Sequence, residues 1–283
     1  MTNEKLRYGA SSWSEKAWAG VFYPPGLAPR DQLRHYATQF DTVEADVTYY
    51  RVPDRALVRG WAEKTPANFV LSAKFPRSIV HGGEAATPAG ERVLVWEHVA
   101  ADCEQFLGAM ELLGPKCGPL VLQFPYFNRQ AFTSAEPFLE RLDAFLARLP
   151  ANFRYGVEVR NKAWIGEPLL AILRRHRVAF VMVELPYMPH PAELAARFDL
   201  LTTDFAYARL IGDRKRIDSL TDTLNHVVLD QSATLERWAE LVHGLLARAQ
   251  RVYVYANNHF AGFAPDTIRD FARRVEARGG AGE

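Results

Sequence analysis

Short apolar runs alternate with longer amphipathic stretches along the whole of this chain. Eight runs read as strands, over residues 6–12, 42–48, 69–74, 120–124, 154–160, 178–185, 205–211 and 251–256. Between them apolar positions recur at helical spacing, as at Phe106, Met110 and Leu113 within a helix predicted over 97–113. Further helices are predicted near 29–40, 54–64, 133–149, 167–176, 191–197, 233–249 and 265–277. Strands alternating with helices predict a parallel sheet. Eight such units predict an α/β fold of one (β/α)8 TIM barrel, a single domain over 1–283 with a frayed tail at 278–283. A doubly wound open sheet is the competing architecture. It would need a glycine-rich phosphate loop after a strand, and neither G-x-G-x-x-G nor a P-loop is present.

The polar residues that end these runs locate a site. Glu44 and Asp46 end the second run, Lys74 the third and Gln123 the fourth. Glu158 and Arg160, Glu184, Arg209 and Asn257 end the fifth to the eighth. Side chains alternate faces along a strand, so Glu44 with Asp46, and Glu158 with Arg160, are expected to share a face. In a TIM barrel the C-terminal strand ends form the rim that carries the chemistry.

Composition narrows the partners. With 283 residues, 48% of them hydrophobic, the chain can build a large core, and its net charge of +1 gives no global attraction for nucleic acid or membrane. No apolar run approaches the roughly 20 residues of a membrane span. The polar start gives no signal-peptide pattern, so a cytoplasmic location is expected. Cys103 and Cys117 are read as two unpaired thiols without a catalytic role.

Several motifs, taken in order, resemble one family. They are Gly9-Ala10-Ser11-Ser12-Trp13 with Trp18, Gly20, Phe22, Tyr23 and Pro24, then the stretch from Val43 through Glu44, Asp46, Tyr49 and Tyr50 to Pro53. Lys74-Phe75-Pro76-Arg77 with His81, Leu122-Gln123-Phe124-Pro125, and Val157-Glu158-Val159-Arg160 with Trp164 follow. Arg209 with Gly212, and Tyr255 with Asn257-Asn258, complete the series. Together they resemble the YecE-like family, the domain of unknown function 72. The resemblance implies a TIM barrel and brings no settled activity. The chain departs from the family pattern at Asp46, where Asn is usual, and at Val80, where Thr usually precedes the histidine. Ile211 replaces a frequent His, and Glu184 a frequent Asp.

Three readings of the rim follow. Buried charges are costly unless paired, so its carboxylates and cations are expected to form a network of ion pairs. In the leading reading that network binds or transforms a small anionic ligand, phosphorylated or carboxylated. Lys74, Arg160, Arg209 and Arg77 would clamp the anion. Glu44, Lys74 and Glu158 are the candidate catalytic groups, the carboxylates acting as general acid or base. Asn257, Asn258 and Gln123 would orient hydroxyls, while Trp13, Tyr49, Tyr50 and Trp164 would wall the pocket. His81 sits in a loop, 81–95, that reads as a lid, and Asp46 and Glu184 complete the ligand set.

The second reading is a metal-dependent phosphoesterase or sugar isomerase. Glu44, Asp46, Glu158 and Glu184 would hold Mg²⁺ or Mn²⁺, with His81 or His259 as a further ligand. Three nearby cations disfavour it, and no zinc-type helical spacing exists. Action on nucleic acid would rest on Arg214-Lys215-Arg216, a cluster more often merely solvated. The third reading is a non-catalytic scaffold whose aromatic segment 13–23 docks a partner. Oligomeric state is not legible.

Overall fold

A computed structural model describes residues 4–279. Among them are eight strands: β1 (Leu6–Ala10), β2 (Thr42–Ala45), β3 (Val70–Lys74), β4 (Cys117–Gln123), β5 (Tyr155–Glu158), β6 (Ala179–Glu184), β7 (Phe205–Leu210) and β8 (Arg251–Ala256). The first helices along the chain are α1 (Gln32–Tyr36), α2 (Val47–Tyr50), α3 (Arg55–Lys64), α4 (Arg77–Val80), α5 (Trp96–Met110) and α6 (Glu136–Leu146). They are followed by α7 (Glu167–Arg175), α8 (Pro191–Ala195), α9 (Arg214–Asp218), α10 (Ser232–Arg248) and α11 (Ala264–Gly279). The strands make one sheet in the order β1-β8-β7-β6-β5-β4-β3-β2. This is the (β/α)8 TIM-barrel fold that the alternation predicts.

The described residues fall into two compact units, one of residues up to 44 with those from 182 onward, the other of residues 45–181. In the first, β8 pairs in parallel with β1 and with β7. Gly9 of β1 lies against the chain entering β2: a Cβ there would stand 2.2 Å from the Thr42 carbonyl oxygen. Only glycine fits that approach. The Tyr36 hydroxyl locks the same place, accepting the Ala10 N–H at 2.7 Å and donating to the Thr42 carbonyl at 3.1 Å. Trp18, Phe22 and Tyr23 are buried, and they pack with Tyr36, Phe40 and Phe263. Trp18, Phe22 and Tyr23 are therefore core residues of this unit.

In the second unit β4 pairs in parallel with β3 and β5, placing Gln123 opposite Glu158. Phe124, Phe127, Phe132 and Phe138 form an aromatic cluster that Trp164 joins, its ring 4.9 Å from Phe138 and nearly stacked on it. Trp164 thus packs over α6.

Three local expectations change. The run 42–48 is strand only to Ala45, because Val47–Tyr50, although rich in β-formers, turns into helix; tertiary context overrides strand propensity here. The charged stretch after β7 is a short helix, α9, with Asp213 capping the Arg216 N–H at 3.2 Å. Finally, α11 continues through Gly279, so 278 and 279 of the expected frayed tail are helical, and 280–283 lie outside the described residues. Cys103 and Cys117 are free, and burial pushes both thiols up to about 12. Among the described residues no helix is long and apolar enough to cross a membrane.

Candidate functional site

The polar strand ends sit where the sequence puts them. Lys74, Gln123, Glu158 and Glu184 are the last residues of β3, β4, β5 and β6, and Glu44 and Arg209 are next to last in β2 and β7. Asp46 and Arg160 lie beyond their strands, so the alternation argument does not apply to them. Three carboxylate–cation pairs result: Glu44 with Arg209, Asp46 with Lys74, and Glu158 with Arg160.

Within the first unit Glu44 is wholly buried. Its Oε1 accepts from Arg209 Nε at 3.1 Å and Nη2 at 2.9 Å, and its Oε2 accepts the Tyr207 hydroxyl at 2.6 Å. Burial, reinforced by Glu44, raises the Tyr207 pKa well above its ordinary value, so the phenol remains a donor. The Arg209 fork thus closes on Glu44, one of the ion pairs expected among the rim charges.

The first unit also holds the asparagines. Asn257 donates from Nδ2 to Ser11 Oγ at 3.0 Å, and its Oδ1 accepts the His259 N–H and contacts His259 Nδ1 at 2.8 Å. Asn258 accepts from Trp18 Nε1 at 3.3 Å and from the Ala264 N–H at 2.9 Å, which ties the aromatic segment to the start of α11. The Asn258 side-chain oxygen thus holds the local backbone in place. Trp13, half-buried, gives its carbonyl to the Tyr23 hydroxyl. Glu184 is taken up on the side of α10, accepting Trp238 Nε1–H at 2.5 Å, with His190 Nε2 3.8 Å away. Arg214, Lys215 and Arg216 are exposed, and Arg214 pairs with Asp218.

The second unit gathers the rest. Lys74 Nζ is ion-paired with Asp46. Thr48 of α2 fixes the Lys74 backbone, its hydroxyl accepting the Lys74 N–H at 3.0 Å and donating to the Lys74 carbonyl at 2.8 Å. Glu158 is wholly buried and accepts from Arg160 Nε at 2.9 Å. Gln123, its ladder neighbour, is buried too. Tyr49 and His81 share a hydrogen bond of 2.7 Å between the phenol oxygen and Nε2. Burial raises Tyr49, against the opposing pull of Arg160 and Arg77. Burial, and then the Arg77 charge, lower His81, so its ring is neutral near pH 7.

Beyond His81 the chain folds back through Gly82 at φ 72°, and the Ala89 N–H reaches the His81 carbonyl at 2.8 Å. The backbone of Ala86 and Ala85 favours the protonated ring, yet His81 Nδ1 makes no hydrogen bond. The expected loop thus packs on His81. Tyr50 is exposed.

Thr48, Ser78 and His190 escape a reading by strand ends. Thr48 and Ser78 lie on single-turn helices, and His190 lies in the proline-rich link before α8. The one signal for His190 in the sequence is that a titratable residue stands between Pro189 and Pro191.

Fold and site together define a TIM-barrel protein with charged residues at its C-terminal strand ends. The chain belongs to the family described as Protein of unknown function DUF72, whose model matches residues 7–281. A stretch of 159 residues is 33% identical to UPF0759 protein YecE of Escherichia coli strain K12, covering 56% of this chain. That match spans 50% of the relative's length. The crystal structure of a DUF72 family protein from Thermotoga maritima is 26% identical, with a TM-score of 0.69 over 97% of this chain and 99% of that one. D-allulose 3-epimerase from Methylomonas sp. shares the fold alone, at 12% identity and a TM-score of 0.54 over 98% and 97% of the two chains.

Proposed function

We propose that the second unit binds a small anionic ligand, carrying a phosphate or carboxylate, beside the C-terminal ends of β3 and β5. One observation carries this reading. On the single turn 77–81, Arg77 Nε, Ser78 Oγ and His81 Nδ1 are all buried without a hydrogen-bond partner. Leaving a buried polar group unsatisfied costs about 1–3 kcal/mol. Three such groups on one turn are the pattern expected where a ligand completes them. His81 is four residues from Arg77 and three from Ser78, the two spacings that make side chains neighbours on a helical turn.

The electrostatics agree. Arg77 has no ion-pair partner among the described residues, whereas Lys74 has Asp46. Arg160 engages Glu158 through Nε, and its two terminal nitrogens remain for an anion. A guanidinium fork matches phosphate and carboxylate oxygens. In this reading Arg77 and Arg160 bind the anion, and Lys74 with Asp46 supports the floor. Glu158 is the candidate general base or acid, and Tyr49 with His81 a neutral donor–acceptor pair. The wider clamp that includes Arg209 is not part of the proposal, because Arg209 closes on Glu44.

The metal-dependent reading has less support. Among the described residues no group of three or more His, Cys, Asp or Glu is placed to hold a metal ion. A thermal-shift panel of inorganic phosphate, sugar phosphates, nucleotides and carboxylates, with and without Mg²⁺ or Mn²⁺, tests the choice. An anion at 100 times its dissociation constant stabilises the fold by about 2.7 kcal/mol. The reading expects that shift without metal in the wild type and its loss in Arg77→Ala. A shift that persists in both Arg77→Ala and Arg160→Ala would sink it.

A further inference from the structure

His190 is 8% exposed, and it is held in one tautomer. Its Nδ1 accepts the Ala192 N–H at 3.1 Å, so the neutral ring carries its proton on Nε2. That Nε2 is buried and makes no hydrogen bond. The acceptor facing it is Oε2 of Glu184, 3.8 Å away, too far for a direct bond. Trp238 fixes this oxygen by donating to it at 2.5 Å, and the indole packs 5.2 Å from the imidazole. The Glu184 side chain is 19% exposed.

A single oxygen about 2.8 Å from each atom spans this gap. It would have to accept from Nε2–H and donate to the carboxylate. Among common ligand groups only a hydroxyl does both through one atom. Burial lowers His190 and raises Glu184, which keeps the imidazole a neutral donor. The charges nearby are Arg237 and Glu193, and these pair with each other at 2.9 Å.

We propose that Glu184 and His190 form a hydroxyl-binding subsite for a polyol or carbohydrate at the C-terminal end of β6. The subsite stands on its own geometry and does not depend on the anion reading.

Imidazole signals of ¹⁵N-labelled protein test it. His190→Asn identifies the His190 resonances while keeping an acceptor for the Ala192 N–H. The probes are glycerol, D-ribose and D-fructose, with acetate as an anion lacking a hydroxyl. The expected result is a saturable movement of the His190 Nε2 signal with at least one hydroxylated probe and none with acetate. Glu184→Ala should weaken that response tenfold or more. If no probe moves the signal in folded protein, or Glu184→Ala responds like wild type, the subsite does not exist. Failure of the anion reading would appear separately, at the His81 signals.

Discussion

Arg209 directs Nε and Nη2 at the same oxygen of Glu44, at 3.1 and 2.9 Å, while the other oxygen of Glu44 takes the Tyr207 hydroxyl. With Arg209 at 2% and Glu44 at 0% exposure, the pair is a core element of its unit. Removing one member of a buried pair strands the other charge and typically costs about 3–5 kcal/mol. Arg209→Met and Glu44→Gln should each lower stability by that order in urea unfolding. The double variant Glu44→Met/Arg209→Met should lose less than the sum of its two single changes. Tyr207→Phe, which removes one bond to a charged acceptor, should cost about 1.5–3 kcal/mol.

Arg77 should behave oppositely. It makes no protein hydrogen bond through its buried Nε and has no carboxylate partner among the described residues. Arg77→Ala removes a buried unsatisfied donor, so in the absence of anion it should leave stability unchanged or raised. The same change should abolish anion-dependent stabilisation. Chemical denaturation with and without phosphate measures both effects. A large loss of stability in the absence of anion would assign Arg77 a structural role.

His190 predicts a pH dependence with a definite sign. Burial, and then the Arg237 charge, lower it from 6.5 to about 4 in the folded protein. The unfolded chain therefore takes up the proton first. Stability attached to His190 is complete above about pH 6.5 and falls as pH drops towards 4, by up to about 3 kcal/mol. Glu184 works against this, because its raised folded pKa relieves a cost as pH falls. Unfolding free energies between pH 7 and 4 should show a shallower decline in His190→Asn than in wild type. Parallel curves would mean that His190 does not titrate in this way.

Gly9 offers a test of the backbone. A methyl group there would meet the Thr42 carbonyl oxygen at 2.2 Å and the Tyr36 hydroxyl at 2.7 Å. Overpacking of this kind costs about 1–3 kcal/mol or more. Gly9→Ala should lower the melting temperature clearly, whereas Gly244→Ala, on open helix surface, should not.

The positions of the strand ends are legible in the chain because a strand is a local object. Lys74, Gln123, Glu158 and Glu184 each follow an apolar run and each closes its strand. The same local rule misplaces Asp46, because nothing in Val47-Thr48-Tyr49-Tyr50 announces the helical turn that ends β2 early. It predicts ion pairs among the rim charges but not which carboxylate each cation meets.

The sequence by itself determined the eight βα units, the family and the polar strand ends, since periodicity and turn residues act over a few neighbouring positions. Tertiary structure alone decided which carboxylate each cation meets: Glu44 for Arg209, Asp46 for Lys74, Glu158 for Arg160. It alone turned Glu184 towards Trp238 and His190, and left Arg77, Ser78 and His81 with buried polar atoms unpaired. Hydrogen bonds and ion pairs act over about 3–4 Å. Residues far apart in the chain come that close only when packing fixes the register of the strands and the helices against them.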